Sequence, residues 1–213
     1  MTRALAPFVI ALAACRPPAR SAPPDRPSDP VVLQDTRAID VPPFVARQRV
    51  TARYGDRSHT FDAVLQLAGG RLTMLGLSPF GTKAFVLTQT GTDVHFETFV
   101  SLDLPFPPER ILFDVHRALF WNARDGTVTA DGRRRRVTPA FTIVERLDGR
   151  RVTTRTFLDR AGHTLAIVRF SPPIRPGEIP RRVEIAAPPY GYDLRIDTIE
   201  THPLGGAPAG GTG

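Results

Sequence analysis

Turn signals recur at close spacing along most of this chain and leave little room for long helices. Gly55-Asp56, Gly69-Gly70, Thr90-Gly91, Asp125-Gly126, Asp131-Gly132, Asp148-Gly149 and Ala161-Gly162 each suit a tight reversal. The runs between them alternate with period two, the spacing of a half-buried strand. Phe44, Ala46, Val50, Ala52 and Tyr54 share one face of the first run, and Arg47, Arg49, Thr51 and Arg53 share the other. Phe61, Ala63, Leu65 and Leu67 repeat the pattern against Asp62 and Gln66. Further strands are expected over 71–78, 83–90, 93–102, 127–131, 136–146, 151–158, 163–170, 181–187 and 192–201. Short turns join most of them, so neighbours should pair antiparallel.

One segment departs from this pattern. "PPERILFDVHRALFW", residues 107 to 121, opens with two prolines and Glu109, all suited to a first helical turn. Ile111, Leu112, Val115, Ala118 and Leu119 recur at helical spacing, and Phe113 and Phe120 widen the apolar face. Only Arg110, Asp114 and Arg117 form a polar stripe, so the helix must be covered on most sides. About eleven strands in one antiparallel sheet curl strongly. The expected fold is therefore mainly β, a curved antiparallel sheet forming an open or half β-barrel. Its single helix, about 107–120, would cover the concave face.

A barrel of that size can enclose more than its side chains fill, which makes an apolar pocket. Leu72, Met74, Leu75, Leu77, Phe85, Leu87, Leu112, Val115 and Leu119 are the candidates to line it, with plain core packing as the other role for each. Met74 and Leu75 are adjacent and cannot both face inward in a regular strand. Phe80, in the sharp turn Ser78-Pro79-Phe80-Gly81, is the candidate rim or membrane-touching tip.

The ends read differently. Residues 1–14 carry Arg3, an apolar run from Ala4 to Leu12, and the small residues Ala13 and Ala14. These are marks of an export signal. Cys15 is the only cysteine, so it has no disulfide partner in the chain and too few companions for a zinc site. Eight prolines between Arg16 and Pro43 favour extended, solvated backbone, expected as a tether over 15–43. One β domain then fills 44–204, and the Gly-rich tail 205–213 is expected to be disordered. No run of about 18 apolar residues occurs, so no helix should span a membrane.

Leu12-Ala13-Ala14-Cys15 resembles the lipobox of bacterial lipoprotein precursors, an ordinary secretory signal being the other reading. That resemblance implies a diacylglycerol on the Cys15 sulfur and cleavage just before it. Arg16, where Asp would signal inner-membrane retention, implies the outer membrane. "LTMLGLSPFGTKAFVLTQTG" at 72–91 and "LPFPPERILFDVHRALF" at 104–120 resemble an uncharacterised family of bacterial lipoproteins related to LolA/LolB-like proteins. The resemblance spans roughly residues 44 to 200. In LolA and LolB a curved sheet closed by helices holds lipoprotein acyl chains in transit. Some members of the uncharacterised family lie among genes for aryl-polyene lipids. The resemblance thus implies a monomeric, lipid-anchored domain on the periplasmic side that holds an acyl chain such as palmitate. A ligand-free module that touches an envelope protein is the alternative.

No catalytic constellation is evident. Gly76-Leu77-Ser78-Pro79-Phe80-Gly81 is not a nucleophile elbow, because its second glycine comes one residue late and Pro79 lacks the oxyanion-donating N–H. The five histidines are scattered, and Asp114 and His116, two apart on a helix, point in different directions. No enzyme, cofactor or metal is therefore expected. The net charge is +7, with Lys83 the one lysine among 28 basic residues. A GC-rich coding sequence would give that bias, and an exported domain has no nucleic acid to meet. Arg133 to Arg136 read as a solvated strand end, or alternatively as a patch for anionic headgroups.

Overall fold

A computed structural model describes residues 31–101 and 107–205. The twelve strands are β1 Phe44–Tyr54, β2 Arg57–Ala68, β3 Arg71–Leu77, β4 Lys83–Thr90, β5 Asp93–Thr98, β6 Thr127–Val128, β7 Arg133–Val137, β8 Thr142–Asp148, β9 Arg151–Leu158, β10 Thr164–Ile174, β11 Arg182–Ala187 and β12 Tyr192–Pro203. They form one sheet in the order β5-β4-β3-β2-β1-β12-β11-β10-β9-β8-β7-β6, every pairing antiparallel. β5 and β6 end the order without pairing to each other, so the sheet stays open.

The mainly β, open-sheet expectation holds, with local differences. The strand expected over 136–146 divides into β7 and β8 around a turn at Thr138–Phe141, which makes twelve strands. That turn has no glycine; Thr138 closes it by exchanging bonds with Phe141. Arg133–Arg136 are accordingly strand residues rather than a strand end. β5 stops at Thr98, short of the expected 102.

The one α-helix among the described residues, α1, spans Glu109–Val115 and widens over His116–Phe120 into a π-helical turn that ends with Trp121 N–H donating to the His116 carbonyl. His116 bonds Gln89 on β4, Asp114 bonds Tyr192 on β12, and Arg155 on β9 bonds carbonyls near the helix end. β4 and β9 stand seven strand steps apart, about 34 Å across a flat sheet at 4.8 Å per step. A helix about 10–12 Å wide meets both only if the sheet wraps around it. The concave face is thus closed on α1, and Leu65, Leu72, Leu87, Leu112, Phe113, Ile143, Phe157 and Ile185 are fully buried between them.

The start of the domain differs from the expected boundary at 44. Residues 31–43 are packed backbone, with Val31, Val32, Leu33, Ile39 and Val41 against the main core. Buried Thr36 receives the Gly91 amide at 2.8 Å, donates its own amide to the Gly91 carbonyl, and bonds the Gly70 carbonyl through its hydroxyl. Proline-rich composition did not prevent this, because these five apolar side chains find a surface to cover. The expected signal, Cys15, most of the tether, residues 104–106 of the helix motif and nearly all of the tail lie outside the described residues.

Candidate functional site

The candidate lining residues separate by parity along β3. Leu72 and Met74 face the concave side and are buried, as are Phe85, Leu87, Leu112, Val115 and Leu119. Leu75 and Leu77 point from the opposite face and are half-buried there. They lie outside the concave lining because side chains alternate across a strand. Gly76 lies between them on the concave side, where an added Cβ would fall 2.1 Å from the Phe85 ring. Phe85 in turn packs at 6.0 Å from Phe61 and 5.9 Å from Phe96. Buried side chains of α1 and the sheet pack together on the concave face. Two clefts lie outside this packed core. One, of about 210 Å³, is polar and lined by residues such as Asp40, Asn122, Arg124 and Arg136. The other, of about 520 Å³, is open and lined by Val31, Val32, Leu33, Val94 and Glu109 among others.

Charged and polar side chains beneath the helix are the main feature that periodicity did not reveal. The polar stripe of Arg110, Asp114 and Arg117 is buried throughout. Asp114 Oδ2 accepts from the Tyr192 hydroxyl at 2.7 Å, and Oδ1 from Arg117 Nη1 at 3.3 Å. Burial pushes the Asp114 carboxyl above its ordinary range, with Arg117, Tyr192 and Arg110 pulling the other way. Burial first, and the Asp114 charge second, raise the Tyr192 phenol. The Arg117 guanidinium lies 4.0 Å from the Phe113 ring centroid, and Arg110 stacks at 4.0 Å from that of Tyr190.

Two further groups tie the helix to opposite arms of the sheet. Glu145 on β8 faces Arg155 on β9 as a direct cross-strand pair, with Oε1 and Nε 2.9 Å apart, and its Oε2 takes Arg134 Nη2 at 2.6 Å. Arg155 Nη1 then donates to the Arg117 carbonyl at 2.8 Å and the Ala118 carbonyl at 3.2 Å. Those carbonyls belong to the last helical turn, which lacks partners of its own and favours a cation. On the other arm the Gln34 amide donates to His116 Nδ1, so Nε2 carries the proton and donates to Gln89 Oε1 at 2.7 Å. Gln89 Nε2 donates to the carbonyls of Gln34 and Gly91. Burial holds His116 down to about 3, so it stays neutral.

A parity count would have exposed some of these residues. Glu145 shares its face with Ile143, Arg155 with Phe157, and Gln89 with Leu87 and Phe85. A charge or amide on the apolar side of a strand is the signal. Tyr192 carries no such mark.

At the opposite extreme are exposed apolar residues. Phe80, at the tip of the β3–β4 turn, is 91% exposed; Phe99 and Val100 follow β5 and are also exposed. The Lys83 ammonium lies 5.8 Å from the Phe99 ring centroid, which groups these residues at one strand end. Exposed Val137 ends β7 at that same end. Ser78 serves the turn, its hydroxyl accepting from the amides of Phe80 and Thr82 and bonding the Thr82 hydroxyl at 2.8 Å. In the arginine run, Arg133 pairs with Asp131, Arg134 with Glu145, and Arg136 donates to the Asn122 carbonyl, leaving Arg135 turned outward.

A family model described as a protein of unknown function, DUF3261, matches residues 45–200. The chain belongs to the DUF3261 family. No curated protein matches the sequence significantly. Solved structures that resemble this DUF3261 member include a LolA superfamily protein from Nitrosomonas europaea, at TM-score 0.43 and 11% identity, covering 84% of this chain and 93% of that one. A DUF1329 family protein from Desulfovibrio piger also resembles it, at TM-score 0.43 and 13% identity, covering 81% of this chain and 90% of that one. Among the described residues of this DUF3261 chain, no helix is long and apolar enough to cross a membrane.

Proposed function

We propose that this domain is a lipid-anchored envelope protein of the periplasmic side of the outer membrane that meets the bilayer with one strand end and binds an acyl chain there. The observation that carries this reading is the exposed tip, where Phe80, Phe99 and Val100 stand in solvent beside Lys83. Isolated apolar residues on a surface are ordinary, but a phenylalanine at a turn tip with two apolar neighbours and a cation suits an interface of headgroups and acyl chains. Lipidation of Cys15 after removal of residues 1–14 would supply the anchor. Residues 16–30 then reach at most about 50 Å, while the eleven residues of β1 span about 36 Å. An anchor leaving near the packed 31–43 segment can therefore share a membrane with the tip at the far strand end.

The acyl chain, of a lipid, a lipoprotein or an aryl-polyene lipid, would occupy the concave residues Leu72, Met74, Phe85, Leu87, Leu112, Val115 and Leu119. These side chains pack against one another in the closed form, so binding requires α1 to lift. The filled concavity also favours a second reading, a ligand-free module that contacts an envelope protein. The test uses full-length Cys15→Ser protein with phosphatidylethanolamine–phosphatidylglycerol vesicles. Phe80→Asp should lower vesicle partitioning about tenfold with unfolding unchanged. Equal partitioning, together with no lipid in the denatured extract of the purified protein, would leave the ligand-free module.

A further inference from the structure

Arg110 differs from the other charged groups buried under the helix in that it meets aromatic rings and makes no hydrogen bond through its buried Nη1. Asp114 holds Tyr192 and Arg117, Glu145 holds Arg155 and Arg134, and neutral His116 holds Gln89. Arg110 is 93% buried, being 7% exposed, and its Nη1 is shut off from solvent with no acceptor. Its guanidinium carbon lies 4.0 Å from the Tyr190 ring centroid and 5.7 Å from that of Phe113. Asp114 feels the Arg110 charge but takes its hydrogen bonds from Tyr192 and Arg117, and Arg110 Nη1 donates to neither of its oxygens. A guanidinium fork held against an aromatic ring, with its buried Nη1 unused, matches the oxyanion of a carboxylate or phosphate.

The position suits a ligand entering from the tip. Tyr190 lies in the connection between β11 and β12, and Tyr192 pairs with Tyr54 at the same strand end as the β3–β4 turn. Leu112 and Val115 follow Arg110 on the helix within about 8 Å at 1.5 Å per residue. We propose that Arg110 binds the oxyanion head of the acyl ligand, making this a site for acidic rather than neutral lipids.

This rests on the acyl-binding reading above, and the experiment separates the two. Displacement of a fluorescent fatty-acid analogue from full-length Cys15→Ser protein is measured with palmitate and with hexadecanol, which share a chain and differ in the head. Palmitate should bind about tenfold tighter or more, the scale of a charge-assisted hydrogen bond. Arg110→Gln should erase that preference while leaving hexadecanol within about twofold, and Arg110→Lys should retain part of it. Inorganic phosphate in large excess should leave palmitate bound. Displacement by phosphate would reassign Arg110 to a free anion and overturn the acyl-head assignment. Equal binding of both probes to the wild-type chain, which needs no variant to fold, would overturn the role of Arg110 alone. Binding of neither would remove the acyl reading and this site with it.

Discussion

His116 is a histidine that cannot accept a second proton without breaking its surroundings. Its Nδ1 takes the Gln34 amide and its Nε2–H is spent on Gln89, in a site burial keeps neutral down to about 3. The unfolded chain protonates near 6.5, so the imidazole contributes stability that is fully present above that value. The contribution falls away as the pH drops towards 3, by up to about 1.4 kcal/mol per pH unit. Asp114 works in the opposite sense, because its raised carboxyl makes ionisation costly in the fold and acid relieves that cost. Asp62 and Asp197, held low by their arginine partners against the cost of desolvation, lose their contribution only as the pH falls below about 4. Urea unfolding between pH 7 and 5 should thus show falling stability in the wild type and a flatter profile in His116→Gln; parallel profiles would assign the titration elsewhere. Gly76 gives a second residue-scale prediction. A methyl group there meets the buried Phe85 ring at 2.1 Å, so Gly76→Ala should cost about 1–3 kcal/mol through overpacking, read as a lower urea midpoint.

At the scale of elements, α1 is held to the sheet by polar fastenings set among apolar contacts, and Glu145 anchors the strongest of them. Removing its carboxylate strands Arg155 in a site 1% exposed and loosens Arg134 on β7. Glu145→Ala should destabilise the domain by about 3–5 kcal/mol, since an uncompensated buried charge remains. Glu145→Leu combined with Arg155→Met should recover part of that loss and not all, because the carbonyls of Arg117 and Ala118 would lose their donor. A double variant no better than the single would mean that the helix cap, rather than the ion pair, dominates. Inward charges on β7 also suit its place near the sheet margin, where they discourage pairing with another chain. The strands were legible because alternation and glycine turns agree along most of the chain. β7 was not, since Arg133–Arg136 show no apolar face and become a strand by pairing with β6 and β8. The helix was legible for the same reason its polar stripe misled: periodicity says which residues share a face, and only tertiary packing says whether that face meets water.

The whole molecule is a sheet with two free margins closed by what it wraps, and its packed leading segment is part of that closure. Residues 31–43 cover core beside β3 and β4, and through Gln34 and Thr36 they satisfy His116, Gln89, Gly70 and Gly91. Composition could not reveal this, because eight prolines look alike whether they lead to a tether or to a strap, and the five apolar residues beside them carry no period. Strand parity separates Leu72 and Met74 from Leu75 and Leu77, but how full the concave space is depends on side-chain packing that no alternation encodes. A chain beginning at Val31 should therefore unfold like the full-length protein. One beginning at Phe44 should lose about 2–5 kcal/mol, from the apolar cover of Val31, Val32, Leu33, Ile39 and Val41 and from the polar groups left unmatched. The same truncation should make binding of an environment-sensitive apolar dye rise, since His116 would lose one of its two fastenings and α1 would be held chiefly from its β9 and β12 sides. Equal urea midpoints for the two chains would return residues 31–43 to the role of a passive tether, and the helix would then owe its place to the sheet alone.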